Sequence, residues 1–141
     1  MVGLQLPRFL SIRLAVALGG CVPVAAGLAG VLLGPAMLGG PPADAAADSH
    51  FRYLSGLLLA IGLGFWSTIP ALPRRAARFR LLTALVLAGG LARLAALPDQ
   101  GWPGLPMAAA LVMELIVTPL LCLWQARVAA AERHRNAAIS G

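Results

Sequence analysis

The chain has 141 residues, of which 60% are hydrophobic and only 11% charged, whereas an ordinary soluble domain carries charge on about a quarter of its residues. So few charges cannot clothe a water-facing surface. The apolar residues are also gathered into runs of membrane-spanning size, which excludes a soluble globular domain. The net charge of +6 does not indicate nucleic acid, because the basic residues, all arginine, lie in short segments beside the apolar runs and form no single stripe.

The first apolar run covers residues 14–38 and ends in Gly39-Gly40-Pro41-Pro42, which no helix is expected to continue. Arg8 and Arg13 before it, and Ala43-Asp44-Ala45 after it, imitate a secretory signal. The run exceeds the roughly 7–15 residues of such a core, so a retained transmembrane helix is expected. The second run, 51–69, has Asp48 and Ser49 ahead of it as candidate caps and Pro70 and Pro73 behind it. The third, 79–97, is predicted to stop at Pro98, and the fourth covers 107–125. Residues 126–135 are rich in alanine and charge and extend the last helix into water as a basic tail, with fraying expected at 136–141. Cys21 and Cys122 lie in separate apolar runs and form no CxxC pair, so both read as small apolar residues.

The sequence therefore predicts one all-α domain, an integral membrane four-helix bundle. Its orientation follows from the arginines, because short cytoplasmic segments are enriched in them. Arg8 and Arg13, then Arg74, Arg75, Arg78 and Arg80, then Arg127, Arg133 and Arg135 fall on one side of four spans. Asp44, Asp48 and Asp99 fall on the other. Both termini are expected in the cytoplasm of a cell whose inner membrane holds the protein. Trp66 and Trp124 sit near the predicted cytoplasmic ends of the second and fourth spans and Trp102 in the outer loop, where amphipathic rings prefer the interface. Small residues recur as Gly30/Gly34, as Gly56/Ala60/Gly64 and as Ala84/Ala88/Ala92/Ala96, spacings that let helix backbones approach closely in lipid.

Three ionisable side chains stand out inside the spans: Arg52, Arg93 and Glu114. Charges at such depth cost about 2.5–3.5 kcal/mol each on insertion scales and normally face partners. Arg93 lies near the end of the third helix and Glu114 about two turns, roughly 10 Å, into the fourth, so their depths match. Arg52, at the start of the second helix, shares that outer half. The bland reading is an ion pair between Arg93 and Glu114 that fixes two helices, with Arg52 snorkelling to lipid or pairing with Asp48. The functional reading sets two arginines against one carboxylate, with Tyr53 beside Arg52, as a ligand-binding pocket for an anionic head group. Pro119 lacks an N–H and is expected to leave the carbonyl of Leu115 without its helical donor, beside Glu114.

Other chemistry finds little support. His50 and His134 lie on opposite sides in this topology and cannot share a metal or haem, and there is no phosphate loop, HExxH or serine elbow. No catalytic residues, metal site or cofactor are predicted.

The blocks His50-Phe51-Arg52-Tyr53-Leu54-Ser55-Gly56-Leu57, Arg78-Phe79-Arg80, Gly89-Gly90-Leu91-Ala92-Arg93-Leu94 and Glu114-Leu115-Ile116-Val117-Thr118-Pro119-Leu120-Leu121 resemble the bacterial four-helix membrane family known as domain of unknown function 4345. The likeness spans residues 48–124, and the first helix is generic. It implies the architecture and draws attention to Arg52, Arg93 and Glu114, but that family carries no assigned activity.

The expected function is thus a small multi-pass membrane protein, more a binding protein than an enzyme, with Arg52, Tyr53, Arg93 and Glu114 receiving a small anionic or amphipathic ligand or a lipid head group. An accessory subunit whose partner is another membrane protein is one alternative, and with so little surface buried by four short helices a homodimer is a further expected partner. A small transporter is the other. A cation antiporter needs an unpaired membrane carboxylate, and arginines near Glu114 count against that. No nucleic-acid partner is expected.

Overall fold

The computed structural model describes residues 5–39 and 42–140. Gly40 and Pro41 of the predicted break and the terminal Gly141 lie outside the described residues, as does the side chain of Arg8 in the topology argument. The described chain is helical throughout: α1 (Gln5–Leu33), a 3-10 turn (Gly34–Leu38), α2 (Ala45–Thr68), a 3-10 turn (Ile69–Ala71), α3 (Ala76–Gln100), α4 (Leu105–Val112), a π-helical turn (Met113–Val117) and α5 (Thr118–Ser140). Four segments, Leu10–Leu38, Ala45–Ala71, Ala76–Gln100 and Leu105–Ile139, are long and apolar enough to cross a membrane. Large apolar side chains such as Leu14, Leu18, Leu32, Leu81, Leu120 and Leu123 are exposed along them. A surface of that kind has a low free energy against lipid tails and a high one against water.

Element ends show where local chemistry and sequence punctuation part. The cap of α2 is Asp44, whose Oδ1 accepts the Ala47 N–H at 2.7 Å, so the helix starts at Ala45, ahead of Asp48 and Ser49. Those two residues then occupy its first turn and the position just after it, which leaves Asp48 available for another partner. α3 overruns Pro98 and ends at Gln100, where Gly101 takes φ +76° and its N–H bonds to the Leu97 carbonyl at 2.9 Å. A proline in the last turn removes one donor near the helix end, and glycine's tolerance of positive φ supplies the actual stop. The tail is helical to Ser140, further than the expected fraying point at residue 136.

The chain forms two compact units, one of residues 14–69 and the other of residues up to 13 together with 70 onward. In the first unit, α1 and α2 meet along small residues. A Cβ on Gly27 would fall 2.5 Å from the Leu59 backbone nitrogen and 2.8 Å from the Ser55 carbonyl oxygen, and one on Gly62 would fall 2.7 Å from Val24. The contacting face of α2 is therefore Ser55, Leu59 and Gly62, one or two positions away from the predicted Gly56/Ala60/Gly64 series, whose Ala60 is exposed. Trp66 continues the contact. Its indole Nε1 donates to the Ala17 carbonyl at 2.9 Å, so this ring works between helices, where the sequence suggested an interfacial belt.

In the second unit, α3 packs on α5 and on the π-helical turn. Its buried face is Phe79, Leu82, Thr83 and Gly90. The predicted ridge Ala84/Ala88/Ala92/Ala96 is exposed. α5 is anchored to the α2–α3 connection by Gln125, which is fully buried and donates through Nε2 to the Leu72 carbonyl at 2.8 Å. Leu72, 1% exposed, lies in the turn after Ala71 whose carbonyl accepts the N–H groups of Arg74 and Arg75. The amide of Gln125 thus satisfies a loop carbonyl that has no helical donor of its own.

The close approach of α1 and α2 gives a direct test. Gly27→Ala is expected to destabilise the protein in detergent by ~1–3 kcal/mol, because its methyl meets backbone that cannot rotate away. Gly89→Ala, where nothing lies within 4 Å of a new Cβ, is expected to be neutral or to stabilise by up to ~1 kcal/mol through helix propensity. Unfolding curves of the two variants beside wild type measure this, and equal losses would contradict the packing described.

Candidate functional site

The ionisable residues of the spans fall into two settings of different quality. In the first unit, Arg52 lies one turn beyond Asp48 on α2, and the two meet through two contacts. Nε donates to Oδ2 at 2.7 Å and Nη2 to Oδ1 at 3.3 Å. Its Nη1 donates to the carbonyls of Val31 at 2.6 Å and Leu32 at 3.2 Å, in the last turn of α1. The Val31 carbonyl has no helical donor because residue 35 is proline, and the Leu32 carbonyl loses its own where the chain leaves α-helical geometry at Gly34, which has φ +62°. Gly34 is also the one residue type that fits there, since a Cβ would sit 2.6 Å from Asp48 Oδ1 and 2.7 Å from Arg52 Nη2. Arg52 is therefore a cap for the C-terminus of α1, where a cation also complements the helix dipole, and Asp48 aims it.

In the second unit, Arg93 and Glu114 face each other across α3 and the π-helical turn. Arg93 Nε is 3.6 Å from Glu114 Oε1, with the side chains 40% and 15% exposed. No hydrogen bond joins them. The other contact of Arg93 is from Nη1 to the thioether of Met107 on α4 at 3.1 Å, a weak acceptor. Glu114 Oε2 is buried and has no hydrogen-bond partner. Gly90 on α3 makes the approach possible, since a Cβ there would lie 2.9 Å from Glu114 Cβ and 2.8 Å from Leu115 Cδ2.

Glu114 is aimed by an irregularity of the backbone. Across Met113–Val117 the helix widens, so that the Thr118 N–H bonds to the Met113 carbonyl five residues back, and Thr118 Oγ1 donates to the same carbonyl at 2.8 Å. Pro119, expected to free the carbonyl of Leu115, stands just past this turn. A helix meets a missing N–H by such a widened turn, and these turns recur at functional sites.

Of the predicted site residues, the structure brings Arg93 and Glu114 together. Arg52 and Tyr53 belong to the other unit, where Arg52 is engaged by Asp48 and the α1 carbonyls and Tyr53 is 64% exposed. The expected surplus of one positive charge omitted Asp48, which balances Arg52. Sequence reading missed Met107, Thr118 and Gln125 as participants in polar contacts. The Thr118-Pro119 pair was the legible signal for the widened turn, and an amide inside an apolar run was the signal for Gln125.

The Asp48–Arg52 cap makes a testable statement. Asp48→Asn and Arg52→Lys are each expected to lower the thermal midpoint, and the double variant is expected to lose little more than the worse single one, because both remove the same α1 cap. Additive losses, measured by thermal unfolding in detergent, would mean that the two residues act independently.

The family model described as Domain of unknown function (DUF4345) matches residues 11–125, and the chain belongs to that family. The match includes the first helix, which carried none of the resemblance read from sequence motifs. No curated protein and no solved structure matches the chain.

Proposed function

We propose that this family member is a non-enzymatic multi-pass protein of the cytoplasmic membrane that binds a small anionic or amphipathic molecule, or a lipid head group, at Arg93 and Glu114. The single observation behind this reading is the contrast between the two ion pairs. Arg52 uses its donors on a carboxylate and two carbonyls at 2.6–3.3 Å, as a structural clasp should. Arg93 has one loose carboxylate contact at 3.6 Å and a thioether. The buried Oε2 of Glu114 has no hydrogen-bond partner among the described residues. A pair that served only to join helices in hydrocarbon would close to hydrogen-bonding distance, because unmade polar contacts there are expensive. Open donors on Arg93 suit a carboxylate or phosphate from outside the chain, and the apolar walls of the neighbouring helices suit the tail of an amphiphile.

The protein's orientation is part of the same reading: both termini and the arginines of 74–80 face the cytoplasm, and Asp44 and Asp99 face outward. The basic start of α3 supports it. Arg78 and Arg80 stand in and just beyond the first turn, where they oppose the helix dipole by a few tenths of a kcal/mol each. A charge placed against its helix serves some other requirement, and holding one side of the membrane is such a requirement. Reporter fusions after Asp44, Ala76, Asp99 and Ser140 are expected to report export only at the two aspartates. An exported Ser140 fusion would reverse the orientation.

For binding, the measurement is native mass spectrometry and thermal stability of the purified protein with added oleate and with phosphatidic acid. Wild type is expected to retain at least one of them and to gain stability with its concentration. Arg93→Gln is expected to weaken that retention about tenfold or more, the loss of one charge-assisted contact. A wild type that binds neither would remove the ligand-binding reading and leave an accessory subunit in its place.

A further inference from the structure

Away from the Arg93–Glu114 pair, the second unit has a groove of about 310 Å³ between the α2–α3 connection and the far part of α5, lined chiefly by Pro73, Arg74, Ala129, Glu132, Arg133 and Asn136. Its size is at the lower end of small-ligand sites. The walls are fixed by the contact already described. Gln125 holds the Leu72 carbonyl, and one turn later Ala129, 2% exposed, lets the connection lie close to α5. The groove lies beside Ala129, with Pro73 and Arg74 on one side and Glu132 and Arg133 on the other.

We propose that this groove binds a phosphate ester carrying a hydroxyl group, of the glycerophosphate type. Arg74 approaches from the connection and Arg133 from the helix, and among the described residues neither guanidinium has a protein hydrogen bond or ion pair. Two such groups across a concave surface fit a phosphate's oxygens. Glu132 supplies the second requirement. Its Oε2 is buried and lacks a hydrogen-bond partner, so a ligand that fills the groove is favoured when it brings a donor to that oxygen. Two arginines and one glutamate leave a single positive charge, which a phosphodiester neutralises while its hydroxyl reaches Glu132. The groove also lies past the apolar run that the sequence ends near residue 125, among the charged residues of the far part of α5, a setting suited to phospholipid head groups. The same chemistry could arrive as a phosphatidylglycerol head group or as free glycerol phosphate.

The test uses the full chain in nanodiscs of phosphatidylcholine, to which phosphatidylglycerol is added in the membrane or sn-glycerol 3-phosphate in the buffer. Binding is read by native mass spectrometry and by the shift in thermal midpoint. Phosphatidylglycerol is expected to bind and stabilise, with Arg74→Gln and Arg133→Gln each weakening it about tenfold. Glu132→Ala, which removes the acceptor for the ligand's hydroxyl, is expected to weaken phosphatidylglycerol binding as well. Stabilisation by glycerol phosphate alone would retain the site and make its ligand soluble. Arg127→Gln removes a charge from the same helix outside the groove and is expected to change nothing. If Arg127→Gln costs as much as Arg133→Gln, or if neither probe binds wild type, the proposal is overturned. Arg74 and Arg133 are exposed, and among the described residues their side chains make no hydrogen bond or ion pair, so their replacement is expected to leave the fold intact. A loss of binding in Arg93→Gln but not in Arg133→Gln would belong to the other site.

Discussion

A backbone carbonyl that loses its helical donor inside a bilayer has no water to accept from, and much of this structure is organised around that constraint. The described chain departs from regular α-helix between its spans and within the fourth, and at three of these places a side chain meets a backbone carbonyl. Where α1 gives way at Gly34, Arg52 takes the carbonyls of Val31 and Leu32. Where the α2–α3 connection turns, Gln125 takes that of Leu72. Where the fourth span widens before Pro119, the Met113 carbonyl takes both the N–H and the hydroxyl of Thr118. The few polar residues of the spans are therefore spent largely on the backbone.

This distribution separates structural from available polarity. Arg52 looks like a functional residue by sequence because it is a charge in an apolar helix, yet its environment is the better satisfied of the two arginine settings. Arg93 and Glu114 look like an ordinary clasp by sequence, yet they meet at 3.6 Å with one carboxylate oxygen unpartnered. Counting charges does not distinguish these cases. Counting donors and acceptors does.

Four spans were legible because hydropathy and length decide them, and the family resemblance followed from short ordered motifs around Arg52, Arg93 and Glu114. The matched depths of Arg93 and Glu114 were also legible, since rise per residue alone brings them level. What escaped were the facts that depend on angle about a helix axis. The α1–α2 contact falls on Ser55, Leu59 and Gly62 although Gly56, Ala60 and Gly64 also recur at helical spacing, and periodicity cannot rank two such faces. Asp48 was expected as a cap; the better-placed Asp44 took that position and freed Asp48 to aim Arg52. The widened turn at Met113–Val117 breaks the period on which face assignments rest.

That turn makes helix length, and not only side-chain identity, a determinant of the chemistry. One surplus residue in the turn offsets everything before it from everything after it by roughly 100° about the axis. Deleting a single residue there would restore regular pitch without altering any contact residue, and would swing Met107 and the rest of α4 away from the face shared with Arg93. Among related chains, a one-residue gap in this stretch would mark a differently built pocket even where Arg93 and Glu114 are both retained.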